Sequence, residues 1–415
     1  MMMKILKLSG CLLVLAALAL QLCACAAVPP ALAADSEDLM KGITSQPVEA
    51  RECSSSFSVA TTEFAVQLLQ NSHADGKNTM LSPYSVLTAL AMTANGADGE
   101  TLEQMEQVFG LPIEELNACL YTCRKNEGAE LVSANSIWIR NMENFSPKEG
   151  FLQTNADYYG ADAFTASFDK QTGEDINTWV RSHTKERIEK IIEEIDPLTM
   201  MYLVNVLTFD AEWESPYKES QIEKGEFHGA GGTTTVEMMH STESIYLEDT
   251  QATGFRKDYR NGRYSFIALL PNEGISVEEY LSSLDGAALL QCVSEGKNCE
   301  VIATLPKFTA DYNARLRNAL AAMGMPDALS KNADFSRISA LPLQISDVLH
   351  KTWLCVDESG TEAAAATAVE MAFGCALPEE SKTVCLDRPF VCGIYDNEQN
   401  MFLFLGVMNN IDAAE

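Results

Sequence analysis

The chain has 415 residues and a formal net charge of −30, with 59 acidic against 29 basic side chains. Because phosphate contacts require clustered lysine and arginine, this balance argues against nucleic-acid binding. The about 365 residues from position 51 onward are enough for one large domain or two ordinary ones. No Pro/Gly/Ser-rich linker and no internal repeat follow residue 55, so we expect a single domain over residues 51–415.

The N-terminus has the pattern of a secretory signal. Two lysines precede an apolar run that is too short for a comfortable transmembrane helix. Residues 22–25, Leu-Cys-Ala-Cys, resemble a bacterial lipobox, in which the last cysteine is lipid-modified and becomes the first mature residue. Cleavage after Ala33, in an Ala-x-Ala pattern, is the alternative and would release the protein. We favour residues 1–25 as the signal, lipidation at Cys25 and a flexible tether over residues 26–50. The protein is then extracellular, either at the cell surface or secreted, and meets a membrane only through its lipid.

The order of the sequence patterns indicates the fold class. Helical patterns dominate residues 57–125 and 170–195, whereas strand patterns dominate after residue 200. Helices followed by strands are typical of α+β proteins, and this is the fold class that we expect.

Catalytic and metal-binding motifs are weak. There is no Gly-x-Ser-x-Gly elbow and no Gly-x-x-x-x-Gly-Lys loop, and Ser182 and Lys185 form a Ser-x-x-Lys pattern that arises easily by chance. The five histidines are scattered, and no His-Glu-x-x-His run occurs. We therefore expect no enzymatic activity, no cofactor and no metal site.

The twelve cysteines are spread over a chain large enough to build its own core, which favours free thiols over a disulfide scaffold. Four of them lie in apolar runs: Cys119, Cys355, Cys385 and Cys392. The alternatives are a pair between Cys292 and Cys299 or a pair between Cys119 and Cys123, and neither spacing is typical of zinc.

Residues 358–367, Glu-Ser-Gly-Thr-Glu-Ala-Ala-Ala-Ala-Thr, fit two secondary structures. In a strand, the odd positions from Thr361 onward share one face, and Glu362 and Glu370 lie on the other, so the first face could join a sheet without burying charge. In a helix, residues 359–362 form a capping box and the alanines favour helix formation. The segment alone leaves both structures open.

Strand-like sequences flank this segment. Upstream, residues 343–351 lead into the apolar residues 353–356. Downstream, residues 383–395 and 401–408 read as two strands joined by a turn at 396–400. About 25 residues with small side chains and few turn signals lie between, and a loop of that length inside a compact domain is usually functional.

The segment resembles the hinge of the serpin family, an acidic residue followed by x-Gly-Thr-Glu-Ala-Ala-Ala-x-Thr. The matching residues are Glu358, Gly360, Thr361, Glu362, Ala363, Ala364, Ala365, Ala366 and Thr367. Further blocks match the family in the same order, at residues 78–92, 96–101, 134–138, 176–188, 203–213, 305–308, 348–351 and 387–390. The resemblance covers roughly residues 51–410.

The resemblance implies a serpin fold with three β-sheets, about nine helices and an exposed reactive-centre loop. It also implies a hydrogen-bonded group beneath the central sheet, here named the sheet-opening cluster, which consists of Ser82, Ser85, Asn205 and His350. At the upper end of the sheet, in the region called the breach, Glu358 would pair with Lys307 near Trp213, where loop insertion begins.

The resemblance further implies a function. In serpins a target protease attacks the exposed loop, forms an acyl-enzyme and is trapped when the cleaved loop inserts into the central sheet. The chain would be a monomeric suicide inhibitor of serine proteases, with a papain-like cysteine protease as an alternative target. A small-residue hinge suits insertion, because charge on the inserting face would have to be desolvated. The alternatives are a non-inhibitory surface binding protein with the serpin fold and a loop that is cleaved without trapping.

Family spacing places the reactive bond between Gly374 and Cys375, and extra residues downstream widen the range to Phe373–Leu377. All candidates are small or apolar, so we expect an elastase-, chymotrypsin- or subtilisin-like target and no trypsin-like target. Residues 208–211 depart from the family's Tyr-Phe-Lys-Gly, and residues 409–410 replace a usual proline. Neither departure touches the hinge.

Overall fold

The α+β class predicted from the sequence is confirmed in the computed structural model, which describes residues 36–260, 262–361 and 381–414. The chain divides into two units, Met1–Leu32 and Ala33–Glu415, and every described residue belongs to the second. The described ranges contain nine α-helices: α1 (Ser55–Ser72), α2 (Pro83–Ala94), α3 (Gly99–Phe109), α4 (Ile113–Lys125), α5 (Glu149–Tyr159), α6 (Lys170–His183), α7 (Val277–Ser283), α8 (Gly286–Ser294) and α9 (Arg317–Met323).

Helix α2 supports the central sheet from behind. It begins at Pro83, because proline suits the first turn of a helix and the Oγ of Ser82 accepts the backbone N–H of Ser85 at 3.3 Å. All of its residues are buried, and it contacts strands of both sheets. A helix that is buried on every side, with only serine and threonine as polar residues, is typical of a protein interior.

The first sheet carries the hinge. Its strands are β1 Glu37–Asp38, β3 Leu131–Arg140, β4 Asp162–Ala166, β5 Met201–Phe209, β6 Ala211–Glu212, β12 Phe308–Arg315, β13 Asp347–Val356 and β14 Gly360–Thr361. They lie in the order β1-β4-β3-β5-β13-β14-β6, with β12 paired to β13. Strand β5 is buried along its whole length, and β13 has only three half-exposed residues, so the middle of this sheet belongs to the core.

The second sheet consists of β2 Thr79–Leu81, β7 Ile222–Gly229, β8 Gly232–Glu248, β9 Ala252–Asp258, β10 Tyr264–Pro271, β11 Lys297–Pro306, β15 Lys382–Cys385, β16 Phe390–Asp396 and β17 Met401–Met408. Its strands lie in the order β15-β11-β8-β9-β10-β16-β17-β2, with β7 paired to β8. The 17-residue strand β8 pairs with β7 near its start and with β9 near its end. It thereby joins the two smaller sheets that the resemblance predicts into one hydrogen-bonded network.

Two sequence-predicted elements end earlier than expected. The helical pattern over residues 170–195 stops at His183, because Lys185 and Glu186 have positive φ angles of 50° and 66°, outside the right-handed helical region. The strand predicted over residues 383–395 is two strands, β15 and β16, interrupted before Phe390. Pro389 has no backbone N–H to donate to a ladder, which explains the interruption.

Residues 36–50, assigned to a flexible tether on the sequence, lie against the folded body. Glu37–Asp38 forms strand β1, which pairs antiparallel with β4 at the edge of the first sheet. The backbone N–H of Gln46 donates to Asp157 Oδ1 at 2.6 Å, and Gln153 Nε2 donates to the carbonyl of Thr44 at 3.0 Å. At these positions the chain is bound to the folded body, because the sheet edge and helix α5 offer it hydrogen-bonding groups.

Within the described ranges, no helix combines the length and apolar character required to cross a membrane.

Candidate functional site

In the first sheet, strands β5 and β13 are paired directly with each other. The start of the hinge already forms a strand at the end of this sheet that lies beside Trp213, here called its upper end. Strands β5 and β13 pair in parallel from Tyr202 and Asp347 up to Leu207 and Thr352. Above that level, β14 pairs with β13 through Thr361 and Val356 and with β6 on its other side. Gly360 and Thr361 thus lie in the sheet, as the strand interpretation predicts, and the helix interpretation is wrong for these two residues.

A tight turn brings the hinge to this position. One carboxylate oxygen of Asp357, Oδ1, accepts the N–H groups of Ser359 at 2.7 Å and Gly360 at 3.1 Å. Burial raises the pKa of Asp357, although the two backbone donors oppose the shift. A Cβ atom at Gly360 would lie only 2.0 Å from the carbonyl oxygen of Ala211, so the close approach of β14 to β6 requires glycine. Asp357 was missed on the sequence, although Asp-x-Ser-Gly is typical turn chemistry.

Trp213 is the main binding partner of this turn. Its backbone N–H donates to the carbonyl of Ser359 at 2.9 Å, and its indole Nε1 donates to the carbonyl of Asp357 at 2.8 Å. The N–H of Tyr217 donates to the carbonyl of Glu358, also at 2.9 Å. The carbonyl groups of residues 357–359 are therefore all hydrogen-bonded to Trp213 or Tyr217.

The breach contains the ion pair that the resemblance implies. Lys307 Nζ lies 2.8 Å from Glu358 Oε2 and 2.9 Å from Glu237 Oε2. Its hydrogen bond from Lys307 lowers the pKa of Glu358. Partial burial lowers the pKa of Lys307, but the two carboxylates outweigh that effect and raise it above its usual value. Because both glutamates are 43% exposed, the ion pair can open at little cost.

Behind Trp213 lies a buried ion pair that the sequence analysis missed. Lys257 is 2% exposed, and its Nζ lies 2.9 Å from Glu243 Oε1 and 3.2 Å from the carbonyl of Ser215. The same ammonium lies 5.3 Å from the ring centroid of Trp213 and 4.4 Å from that of Tyr217. The sequence offered little signal for it, because strand β9 also contains Arg256 and Asp258. The ion pair therefore packs against the side chains of Trp213 and Tyr217, whose backbone N–H groups bind the hinge carbonyls.

Thr361 anchors the hinge from the core side. It is fully buried, and its hydroxyl shares a short hydrogen bond with the phenol of Tyr259. Tyr259 stacks on Trp213 with ring centroids 4.4 Å apart. The face of β14 that carries Thr361 therefore points into the core.

The sheet-opening cluster lies lower, where β5 and β13 are paired. His350 is 1% exposed, and its Nε2 accepts the backbone N–H of Ser82 at 3.0 Å. Burial lowers the pKa of His350 to about 3, so the ring is neutral at physiological pH and carries its proton on Nδ1. The ring thereby links strand β13 to the start of helix α2.

Only part of the predicted cluster is hydrogen-bonded in the structure. Asn205 faces His350 in the β5–β13 register, but its Nδ2 donates to Oδ1 of Asn135 on the neighbouring strand β3. Among the described residues, Ser85 Oγ, Asn205 Oδ1 and His350 Nδ1 have no hydrogen-bond partner. Hydrogen bonds therefore link Ser82 to His350 and to Ser85, whereas the amide of Asn205 turns toward β3. Buried polar atoms without partners disfavour the closed sheet at this level.

The other predicted site residues lie outside the described residues. They are Cys25, Glu362, Ala363, Ala364, Ala365, Ala366, Thr367, Phe373, Gly374, Cys375 and Leu377. Within the described part of the chain, no group of histidine, cysteine and carboxylate side chains is arranged to hold a metal ion.

Comparison with solved structures shows that the fold of this chain is similar to that of serpins. The native state of the thermophilic serpin tengpin matches with a TM-score of 0.86 and 42% identity, over 91% of this chain and 100% of that chain. The latent state of tengpin matches with a TM-score of 0.77 and 40% identity, over 88% of this chain and 100% of that chain. The higher score belongs to the native state, in keeping with the direct β5–β13 pairing.

Comparison of the sequence gives the same family. The chain is 33% identical over 365 residues to a serpin-like protein of Thermococcus kodakarensis, covering 85% of each chain. It is 30% identical to leukocyte elastase inhibitor A of Mus musculus, covering 84% of this chain and 98% of that one. Members of the family are mostly protease inhibitors rather than enzymes. The family model described as serpin (serine protease inhibitor) matches residues 59–411, and this chain belongs to the serpin family.

Proposed function

We propose that this protein inhibits serine proteases of elastase-, chymotrypsin- or subtilisin-like specificity as a monomeric suicide substrate. The observation that carries the proposal is the position of Gly360 and Thr361, which already form a strand between β13 and β6. The native state thus holds the first step of strand insertion. After cleavage, the released loop continues this strand downward between β5 and β13 while the protease is still bound as an acyl-enzyme.

The observed register favours insertion with the small residues facing the core. Because Thr361 pairs antiparallel with Val356, continuing the ladder would bring Thr367 beside His350. Thr361 faces the core, so Ala363, Ala365 and Thr367 would follow it on that face by the two-residue repeat. The new strand would also meet the unpartnered polar atoms of the sheet-opening cluster, which supports insertion as the favourable direction.

The scissile bond is proposed between Gly374 and Cys375, within the range Phe373–Leu377. A strand from Thr361 to Gly374 would span roughly 45 Å and carry the bound protease across the molecule. The absence of lysine and arginine from the range disfavours trypsin-like targets, and the name of the mouse relative, leukocyte elastase inhibitor A, supports an elastase-like target.

The test incubates the mature protein with elastase, subtilisin, papain and trypsin, followed by denaturing gels and mass spectrometry. We expect a stable covalent adduct with elastase or subtilisin, a cut within the proposed range and a higher melting temperature of the cleaved protein. Clean cleavage with no adduct and no rise in thermal stability would support the non-inhibitory binding protein. An adduct with papain alone would assign a cysteine protease as the target.

A matched pair of variants tests the insertion face. Ala363→Glu puts a carboxylate on the face that enters the core, whereas Ala364→Glu puts the same side chain on the opposite face. Desolvation of the first carboxylate should convert the inhibitor into a substrate, and the second variant should still form the adduct. Equal adduct yields from the two variants would contradict the proposed face.

Export and lipid anchoring at Cys25 are also proposed, on the basis of the apolar leader and the Leu-Cys-Ala-Cys pattern. Metabolic labelling with a radioactive fatty acid should mark the wild-type protein and Cys23→Ala, but not Cys25→Ala. Release of an unlabelled chain that begins after Ala33 would instead support ordinary signal cleavage and secretion.

A further inference from the structure

Three cysteines far apart in the sequence converge beside the start of helix α1. Cys53 Sγ lies 3.7 Å from the carbonyl oxygen of Cys119. Gln399 Oε1 lies 3.9 Å from Cys53 Sγ and 3.6 Å from Cys123 Sγ. All three cysteines are unpaired in this structure.

The backbone already holds Cys53 against helix α4. Thr122 Oγ1 accepts the N–H of Arg51 at 3.1 Å and donates to the carbonyl of the same residue at 2.8 Å. These two hydrogen bonds hold the segment before helix α1 against helix α4 at Arg51, which lies two residues before Cys53. A disulfide formed here would therefore require little further ordering of the chain.

The helix geometry excludes one of the three possible pairs, and the surroundings of the thiols favour one of the other two. Cys119 and Cys123 are four residues apart on α4, where Cβ atoms are about 5–6 Å apart, longer than the about 3.5–4.5 Å that a disulfide allows. Cys123 also contacts the thioether of Met401 at 3.8 Å on the core side. Cys53 is half-buried and comes from a separate segment, so it is free to adopt disulfide geometry with Cys119.

The site is accessible to a reagent through Cys53. Because Cys53 is only half-buried, its thiol can be reached by a small or protein-bound disulfide, whereas Cys392, buried in strand β16, cannot. Beside it, a cavity of about 400 Å³ has a lining that includes Arg51, Glu52, Ser54, Glu115 and Cys119. Cys53 is therefore the thiol that meets the oxidant, and Cys119 lines the cavity next to it.

We propose that Cys53 and Cys119 form a reversible disulfide that fastens the segment before helix α1 to helix α4. The oxidant is a disulfide, either that of a thiol oxidase or that of oxidised glutathione. The Cys53 thiolate attacks it and displaces one thiol, giving a mixed disulfide. Cys119 then attacks Cys53 Sγ, forms the internal bond and displaces the second thiol. The two protons lost from the cysteines are taken up by the two departing sulfurs.

The surroundings make the exchange slow. Hydrogen bonding with Cys119 lowers the pKa of Cys53, but the thiol of Cys123 and burial outweigh it and raise the pKa to about 12. Hydrogen bonding with Cys53, together with burial, raises the pKa of Cys119 as well. Because the thiolate is the attacking species, both shifts slow the reaction. Once formed, the bond encloses helices α1 to α3 and restricts the unfolded chain.

The experiment equilibrates the full mature chain in glutathione redox buffers, blocks free thiols with an alkylating agent and maps the peptides by mass spectrometry. We expect a peptide pair joined through Cys53 and Cys119 with the loss of two hydrogens, and a higher melting temperature that reverses on reduction. A link from Cys123 to either partner, or full alkylation of all three thiols under oxidising conditions, would overturn the proposal.

Two matched variants complete the test. Cys123→Ser should keep both the joined peptides and the redox-dependent shift in melting temperature, whereas Cys53→Ser should abolish both. Equal behaviour of the two variants would contradict the assignment. The peptide map of the wild-type chain decides the matter even if a variant folds poorly. Adduct formation with a protease is a separate readout, so failure here would not bear on the proposed inhibitory function.

Discussion

The breach and the sheet-opening cluster are both polar regions of one sheet, but they are built differently. In the breach, Glu358 and Lys307 are partly exposed and paired, and the hinge carbonyls are held by backbone and indole N–H groups. In the sheet-opening cluster, His350 and Asn205 are almost fully buried, and each keeps a polar atom without a partner.

The difference indicates how one sheet can be both stable and ready to open. Partly exposed ion pairs exchange with water at low cost, so the upper end can release and rebind the hinge. Buried polar groups are costly to leave unpaired, so the middle gains from any rearrangement that supplies partners. The upper end should therefore control where insertion begins, and the middle should contribute to its driving force.

The largest expected effect comes from the buried support behind the breach. Lys257→Met leaves the carboxylate of Glu243 buried without its ammonium partner. We expect a loss of about 3–5 kcal/mol in the free energy of unfolding, measured by denaturant titration. If the ion pair is responsible, the double variant Lys257→Met with Glu243→Leu should recover most of this loss. Failure of the double variant to recover stability would assign the effect to packing against Trp213.

The next effect concerns the protonation of His350. Its pKa falls from an ordinary value of 6.5 to about 3 in the folded protein, so its contribution to stability is complete above pH 6.5 and declines as the pH falls toward 3. Between pH 7 and pH 4 we expect a loss of about 3 kcal/mol from this group. Denaturant titrations across this range should show a shallower decline for His350→Gln. The variant His228→Gln, at an exposed site, should follow the wild type.

A smaller effect is expected at the start of the inserted strand. Gly360→Ala places a Cβ atom against the backbone of Ala211 and should cost about 1–3 kcal/mol of local stability. Hydrogen exchange at Thr361 should become faster while the remainder of the first sheet keeps its protection. Gly150→Ala is the control, because nothing lies within 4 Å of its added Cβ. Unchanged exchange at Thr361 would argue against tight β14–β6 packing.

The smallest effect on global stability is expected at the ion pair. Glu358→Gln should change the free energy of unfolding by less than about 1 kcal/mol, because the pair is partly exposed. Hinge amides should nevertheless exchange faster than in Glu237→Gln, which removes the other carboxylate on Lys307 and leaves the hinge intact. Equal exchange in the two variants would place control of the hinge elsewhere.

The pH dependence of this pair differs from that of His350. The pKa of Glu358 is lowered, so its contribution is lost only as the pH falls through a value below its usual 4.5. The pKa of Lys307 is raised, so its contribution is lost only as the pH rises through a value above its usual 10.5. The protection of the hinge amides, which is their exchange rate relative to the intrinsic rate at each pH, should therefore be constant between about pH 5 and 10. A change in protection near pH 7 would contradict this assignment.

Much of the fold could be predicted from local sequence. The start of helix α2 at Ser82 and Pro83 and the strand β17 at residues 401–408 follow from capping chemistry and apolar patterning, which act over a few residues. The end of helix α6 and the break before Phe390 were missed. The positive φ angles at Lys185 and Glu186 follow no local sequence pattern, and a proline marks a strand break without determining which strands pair on each side.

The same distinction between local patterns and contacts of distant segments applies to the candidate site. The hinge residues and Lys307 were found because their motif is a continuous run or a short block. Asp357, Lys257 and Tyr259 were missed, although each contacts the hinge or the side chains that hold it. Their roles depend on distances between strands that are far apart in the chain, and no local pattern encodes those distances.

By itself, the sequence determined the family, the α+β class and the small-residue hinge, because side-chain size, charge and backbone preference act on neighbouring residues. The tertiary structure decided the conformation of Gly360 and Thr361, for which strand and helix were both open. It also turned Asn205 toward Asn135 and brought Cys53 to Cys119. The physical reason is that a hydrogen bond, a buried charge or a thiol pair depends on which distant segments pack together, and only the folded chain brings those segments into contact.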